Sequence, residues 1–182
     1  EGIITHKEGV DLIPSNLELS SMEIQLVNAM SREVTLKNYI KEAKLKERYD
    51  YVIIDCMPSL GMITINALAA ADKVIIPVQA QYLPAKGMTQ LIGTIGKVKR
   101  TLNPALTIDG AILTLVDNRT NLARSIAETL RRQYGHIMRI YKTRVPVAVK
   151  AAEASAAGVG IYAYDRNNAA CKAYEALTKE TI

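Results

Sequence analysis

Two patterns alternate along this chain, short and largely apolar segments and longer stretches with helical spacing. The short segments predict strands at 10–14, 51–54, 73–79 and 107–117, and a short strand followed by a loop within 136–146. The periodic stretches predict helices at 17–30, 34–49, 62–71, 84–104, 119–135, 147–158 and 165–180. Strands separated by helices are typical of a parallel sheet covered on both faces. We therefore predict an α/β fold, with a mostly parallel sheet flanked by helices on both faces, in which residues 1–182 form part of a single domain.

The most informative segment is 49–61, YDYVIIDCMPSLG. Its apolar run, 51–54, has no polar alternation, which predicts a strand buried on both faces of a parallel sheet. Asp55 follows directly, at the strand end where open α/β sheets bind ligands. Pro58 and Gly61 then shape a loop before the next helix. This layout is typical of a Walker B magnesium site in a nucleotide-hydrolysing domain, although this segment alone leaves open a surface carboxylate that merely ends a strand.

Composition narrows the classes of protein to consider. Of the 182 residues, 49% are apolar and 23% are charged, which is ordinary for one globular domain with a sizeable core. The longest apolar runs are too short to span a bilayer. Cys56 and Cys171 lack the spacing of metal ligands, and a disulfide between them is not expected. These features favour a reducing, cytoplasmic location.

Positive charge is concentrated in one segment. The chain carries a net charge of +5, whereas residues 119–150 hold eight basic residues against the single acid Glu128, a net charge of +7. On the helix predicted there, Arg124, Glu128 and Arg131 share a face. An ordinary solvated helix face would explain that helix alone, but the positive charge continues into the next strand and loop. A local field of this kind attracts polyanions, and we prefer non-specific duplex DNA, bound through its phosphates.

Several segments, in order and at compatible spacing, resemble the ParA/Soj partition ATPases, relatives of MinD. YDYVIIDCMPSLG is similar to their Walker B and switch II region. The other matching segments are VDLIPSNLELSSMEIQLV at 10–27, ADKVIIPVQAQYLPAKGM at 71–88, ILTLVDNRTNLA at 112–123 and VPVAVKAAEASAAGVGIYAYD at 145–165. The resemblance covers nearly the whole chain, and it implies ATP and Mg²⁺ as cofactors.

The resemblance also implies roles for residues of the nucleotide site. Asp55 would be the catalytic carboxylate that holds Mg²⁺ through a water molecule. Asp117 and Pro146 would flank the adenine. A loop that senses the γ-phosphate would contain Pro58, Ser59 and Gly61.

For DNA, the resemblance implies a second set of residues. Arg119 matches a DNA-binding arginine of the family, and Lys150 stands where a second such arginine occurs. Lysine keeps the charge but loses the bidentate fork, so it suits a simple phosphate contact. Arg124, in the same basic segment, is the third candidate. The expected partners are non-specific double-stranded DNA, a ParB-type protein and a second copy of the chain in an ATP-bound homodimer, in a nucleoid-associated cycle.

One family motif does not occur in the chain. No G-x-x-x-x-G-K-S/T sequence, the Walker A loop that cradles phosphates, is present. We therefore expect the chain to be the C-terminal part of a longer ATPase domain, with roughly 60–100 residues preceding it. We also expect the chain to be inactive in ATP hydrolysis without that loop.

Two other functions remain as alternatives. A MinD-like membrane-cycling ATPase would need a C-terminal amphipathic helix with large apolar residues. The last predicted helix instead carries small residues suited to packing on the sheet, so stable membrane association is not expected. A non-enzymatic ParA remnant, which binds DNA or a partner without turnover, is the second alternative.

Overall fold

The computed structural model describes residues 2–16, 18–80, 85–117 and 119–182. These residues form two compact units. The first comprises Glu1–Asp72 and Lys86–Thr107, and the second comprises Lys73–Ala85 and Ile108–Ile182. Two of the predicted helix starts, at Leu17 and Pro84, lie outside the described residues.

The first unit begins with an antiparallel hairpin. Strand β1, Ile4–His6, pairs with strand β2, Val10–Leu12. Gly9 adopts a φ of +80° in the turn, a conformation that glycine accepts without steric cost, and donates its N–H to the His6 carbonyl at 3.0 Å. The sequence predicted β2 but not its partner, because the run before the turn is short and mixed in polarity.

Helices form most of the remaining first unit. Asn16 caps the first of them, since its side-chain oxygen accepts the Glu18 N–H at 2.9 Å. The single helix predicted for 34–49 is divided at Lys44, whose left-handed backbone (φ 52°) ends a right-handed helix. The elements are α1, Glu18–Leu26; a 3-10 helix, Arg32–Val34; α2, Thr35–Glu42; α3, Leu45–Arg48; α4, Met62–Ala70; and α5, Ala85–Thr101.

Two buried asparagines tie α4 to its surroundings in this unit. Asn66 accepts the Leu36 N–H at 3.1 Å and donates to the Arg32 carbonyl at 2.6 Å, which joins α4 to the start of α2. Asn103 donates to the Ala71 carbonyl at 2.7 Å and so satisfies a carbonyl at the end of α4. These hydrogen bonds keep α4, and the loop that precedes it, in one position.

The strand predicted at 51–54 is corrected by the structure. Residues 51–57 have no regular secondary structure, and the side chain of Ile53 is 92% exposed. No strand among the described residues pairs with this segment. An apolar run forms a buried strand only where neighbouring strands accept its backbone hydrogen bonds, so the composition alone did not determine the structure here.

The second unit contains a three-stranded parallel sheet. Its strands are β3, Lys73–Gln79; β4, Thr107–Val116; and β5, Arg139–Pro146, in the order β3-β4-β5. Four helices follow the last two strands among the described residues: α6, Asn121–Tyr134; α7, Val149–Ala156; α8, Ile161–Tyr164; and α9, Ala169–Thr181. The predicted α/β class, with a parallel sheet and flanking helices, is confirmed.

Helix α9 packs on β5. Ala173 is buried in a cluster with Ile112, Tyr141 and Val145, and Leu177 packs against the same cluster. The predicted packing role of this helix is therefore confirmed. It begins four residues later than the predicted start at 165, because Asn168 caps it by accepting the Ala170 N–H at 2.8 Å.

Glu180, near the end of α9, binds the backbone of the edge strand β5. Its carboxylate accepts the N–H groups of Lys142 at 2.8 Å and Thr143 at 3.0 Å. Partial burial acts to raise the pKa of Glu180, but the hydrogen bonds from Lys142 and Thr143, together with the positive charge of Arg139, outweigh it and the net pKa is lowered. The carboxylate thus covers part of an otherwise unpaired sheet edge.

We expect Glu180→Gln to lower the free energy of unfolding by about 1–2 kcal/mol, because the amide cannot accept both backbone N–H groups as a charged carboxylate does. Because the folded-state pKa is lowered, this stabilisation is present above the usual pKa range of glutamate and is lost as the pH falls through the lowered value. Urea unfolding at several pH values would measure it. Glu175→Gln, in an exposed pair with Lys179 on the same helix, is the control, and an equal loss in both variants would contradict the prediction.

Candidate functional site

In the first unit, Asp55 lies in the irregular segment before α4. Its side chain is exposed, as are those of Pro58 and Ser59. The pKa of the neighbouring Cys56 thiol is raised by partial burial and by the Asp55 charge. The Ser59 carbonyl accepts the Thr64 hydroxyl at 2.7 Å, which ties this loop to the first turn of α4. Asp55 therefore presents an accessible carboxylate on a loop anchored to a helix.

Gly61 is the N-cap of α4 and lies against a carboxylate of α1 that the sequence reasoning missed. A Cβ atom built on Gly61 would lie 2.0 Å from Oε1 of Glu23. That oxygen is buried and has no hydrogen-bond partner. A larger residue at this position would therefore displace the Glu23 carboxylate. No spacing in the sequence indicated the contact, since the two residues are 38 positions apart.

In the second unit, the ends of β4 and β5 bring Asp117 and Pro146 close together. Val116, the last residue of β4, is the register partner of Pro146, and the Val147 N–H donates to the Val116 carbonyl at 3.1 Å. Asp117 follows immediately at the carboxyl edge of the sheet. The two residues that the family resemblance assigns to the adenine thus lie on adjacent strand ends.

The end of β4 carries an unusual backbone. Leu115 has a φ of +51°, in the left-handed region, and the β4–β5 register shifts between Leu113 and Val116. A leucine in this conformation is sterically disfavoured, and such residues concentrate where a fold positions a functional group. The irregularity comes directly before Asp117, at the point where the strand gives way to the loop.

Arg119 is bound by Asp117 in a bidentate pair. Its Nε lies 3.0 Å from Oδ1 and its Nη2 lies 2.9 Å from Oδ2, and its backbone N–H also donates to Oδ1 at 3.0 Å. These hydrogen bonds lower the pKa of Asp117 to about 2. The Arg119 side chain remains 89% exposed, so its outer face is accessible to a ligand.

Lys150, in the first turn of α7, is held by two side chains. Its Nζ lies 2.9 Å from Oε2 of Glu153 and 5.7 Å from the centre of the Tyr164 ring. The Tyr164 hydroxyl donates to the same Glu153 oxygen at 3.0 Å. The sequence analysis identified Lys150 but neither partner, although the spacing of three residues between Lys150 and Glu153 on a helix was a signal for the pair.

The basic segment 119–150 does not form one surface. Arg124 is exposed on α6, to one side of the buried face of that helix, which matches the ordinary solvated arrangement. Arg139 begins β5 at the other edge of the sheet, where it pairs with Asp109 at 2.6 Å and stacks on Tyr141 at 4.3 Å. Arg119, on the loop after β4, and Lys150, in the first turn of the helix after β5, instead follow the carboxyl ends of their strands.

Comparison with known proteins identifies the relatives of this chain. A family model described as "AAA domain" matches residues 1–108. The sporulation initiation inhibitor protein Soj of Bacillus subtilis (strain 168) is 42% identical over 97% of this chain and 68% of its own length. The chromosome partitioning protein ParA of Caulobacter vibrioides is 36% identical over 98% of this chain and 66% of its own length. The chain thus spans about two thirds of the length of these curated relatives.

Solved structures give the same fold. A structure described as cobyrinic acid a,c-diamide synthase from Mycobacterium smegmatis, with a bound ATP analogue and magnesium, has a TM-score of 0.84 at 32% identity and covers 98% of this chain and 64% of that one. Apo McdA from Cyanothece has a TM-score of 0.82 at 20% identity, over 98% of this chain and 71% of that one, which supports the fold alone. By its matches to the AAA domain model, to Soj and to ParA, this chain belongs to the ParA/Soj family of partition ATPases.

Proposed function

We propose that this chain is the part of a partition ATPase that couples nucleotide at one edge of its sheet to non-specific DNA binding. The nucleotide is ATP with Mg²⁺, and the DNA-binding form is a homodimer. A ParB-type partner stimulates hydrolysis, which opens the dimer and releases DNA. The cargo is a chromosome, plasmid or integrated element, and the cycle takes place on the nucleoid in the cytoplasm.

One observation carries this proposal: each of two adjacent strand ends is followed closely by a cation, and each holds a residue that we assign to the nucleotide. Asp117 after β4 is followed two positions later by Arg119, and Pro146 at the end of β5 is followed four positions later by Lys150. A conformational change at either strand end on nucleotide binding would therefore have to pass along only two to four residues to reach a side chain proposed to contact DNA. The Arg119 guanidinium also donates a hydrogen bond directly to the Asp117 carboxylate.

The residues of the first unit fit a magnesium site of the kind found with nucleotides. The described residues contain no group of three or more His, Cys, Asp or Glu side chains that could hold a metal ion by themselves. Mg²⁺ in nucleotide sites is bound by one or two carboxylates together with phosphate oxygens and water, and the exposed Asp55 supplies one such carboxylate. Bound Mg²⁺ would neutralise charge on the phosphates. Asp55 would hold the metal through a water molecule, and the loop with Pro58, Ser59 and Gly61 would sense the γ-phosphate.

Three further statements complete the proposal. The Walker A loop that would cradle the phosphates has no counterpart in these 182 residues, so the chain by itself does not hydrolyse ATP. In the dimer two basic surfaces act together, which multiplies the phosphate contacts and makes binding more sensitive to salt. None of the described helices is long and apolar enough to cross a membrane. Helix α9 has its apolar side packed on β5, and this packing disfavours the MinD-like alternative.

The direct test is duplex DNA binding by a protein that joins this chain to a Walker A loop, with and without ATP and Mg²⁺, on two unrelated sequences, over a series of salt concentrations. We expect binding that requires ATP, does not distinguish the sequences, and falls linearly on a plot of log affinity against log salt. Vesicles of anionic lipid serve as a second ligand in the same assay. Retention on the vesicles without affinity for DNA would contradict the proposal and favour a membrane-cycling ATPase.

A further inference from the structure

Glu153 is a carboxylate that neither the sequence analysis nor the proposed cycle uses, and it binds one of the two proposed DNA cations. Its Oε2 atom accepts hydrogen bonds from Lys150 at 2.9 Å and from the Tyr164 hydroxyl at 3.0 Å. The three side chains connect the first turn of α7 with the end of α8. They form a small polar cluster at the surface, since the side chains of Lys150 and Glu153 are 50% and 41% exposed.

We propose that Glu153 is an internal counter-anion that competes with DNA phosphate for Lys150 and so limits the affinity of the protein for DNA. This inference rests on the proposed function, in which Lys150 contacts phosphate. Each time a phosphate approaches, the ammonium exchanges some of its interaction with Glu153 for interaction with DNA. The carboxylate also adds a repulsive charge beside the phosphate.

The position of Tyr164 indicates that Lys150 and Glu153 belong to an organised cluster of three side chains and are not an incidental surface pair. A lone Lys–Glu pair three residues apart on a helix is mobile and contributes little. Here the Tyr164 hydroxyl fixes the carboxylate oxygen, and its ring lies beneath the ammonium at 5.7 Å. The pKa of Glu153 is lowered by Lys150 first and Tyr164 second, so the carboxylate stays charged near neutral pH.

Competition of this kind affects the salt dependence as well as the affinity. When Lys150 moves to a phosphate, a counterion leaves the DNA, but Glu153 is left exposed and attracts a cation from solution. The net number of ions released is then smaller than the number of phosphates that the protein neutralises. Removing the charge of Glu153 should therefore restore the full release of counterions on DNA binding.

The test is Glu153→Gln, which keeps the side-chain size and an oxygen that accepts hydrogen bonds from Lys150 and Tyr164. We expect duplex affinity to rise about two- to fivefold near 0.1 M salt, and the salt slope to steepen by up to about one. Glu175→Gln changes the net charge equally, in another exposed lysine pair, and should change neither quantity. A gain of the same size in both variants would overturn the inference in favour of a general charge effect.

A double-mutant cycle separates this inference from the proposed function. In a Lys150→Ala background, Glu153→Gln should give no gain, because the carboxylate acts through that ammonium. If Lys150→Ala weakens DNA binding but Glu153→Gln gives no gain in the native background, or the same gain in both backgrounds, the inference fails and the DNA surface stands. If Lys150→Ala leaves DNA binding unchanged, the role of Lys150 in the proposed function fails.

Discussion

Asp55→Ala is expected to reduce Mg²⁺-dependent ATP hydrolysis by at least about 100-fold in kcat, measured in a protein that joins this chain to a Walker A loop. Asp55 is the carboxylate that the proposal assigns to the metal. The loss should be concentrated in turnover, because the proposal assigns most of the affinity for ATP to the phosphate-binding loop and to the residues that flank the adenine. Binding of a fluorescent ATP analogue should therefore fall much less than turnover.

Asp50→Ala is the matched control for this experiment. Asp50 is an exposed acid five residues earlier, in the same connection between α3 and α4, and its removal changes the net charge equally. Turnover should persist in this variant. Native turnover in Asp55→Ala would mean that the metal-binding carboxylate is elsewhere in the protein.

The sequence predicted the second unit better than the first. Strands β3 and β4 agree with their predicted ranges, 73–79 and 107–117, within a residue. Both are largely apolar segments, and the strands that neighbour them in the sheet lie in the same unit, so composition and pairing agree. The run 51–54 has the same composition but no paired strand among the described residues, and it is exposed. The hydrophobic pattern of a segment indicates its tendency to be buried, whereas the pairing of a strand depends on the rest of the structure.

The candidate functional site was also predicted only in part from the sequence. Asp117 and Pro146 were assigned from separate motifs, and the β4–β5 register brings their strand ends together. The roles of these residues remain predictions. Contacts between distant positions could not be predicted, and the clearest case is Glu23 against Gly61. Such a contact depends on how two helices meet, which no local pattern encodes.

The second large effect concerns DNA. Arg119→Ala and Lys150→Ala are each expected to weaken duplex binding about tenfold, and the double variant about 100-fold, equally for all sequences. The salt slope should fall by about one for each side chain that no longer neutralises a phosphate. Both side chains are exposed, Arg119 on the loop after β4 and Lys150 in the first turn of α7 after the adjacent strand β5. Binding should be measured with ATP and Mg²⁺ present, over a salt series.

Two controls make this experiment specific. Lys172→Ala removes an exposed charge from α9, so an equal loss there would attribute the effect to net charge. Arg119→Ala also leaves Asp117 without its bidentate partner, and ATP affinity must be measured in the same variant. Arg119→Lys separates the two causes, because it retains the charge while losing the fork that fits the Asp117 carboxylate. If Arg119 acts by contacting phosphate, the lysine variant keeps most of the salt slope, and unchanged DNA binding in the double alanine variant would exclude this surface.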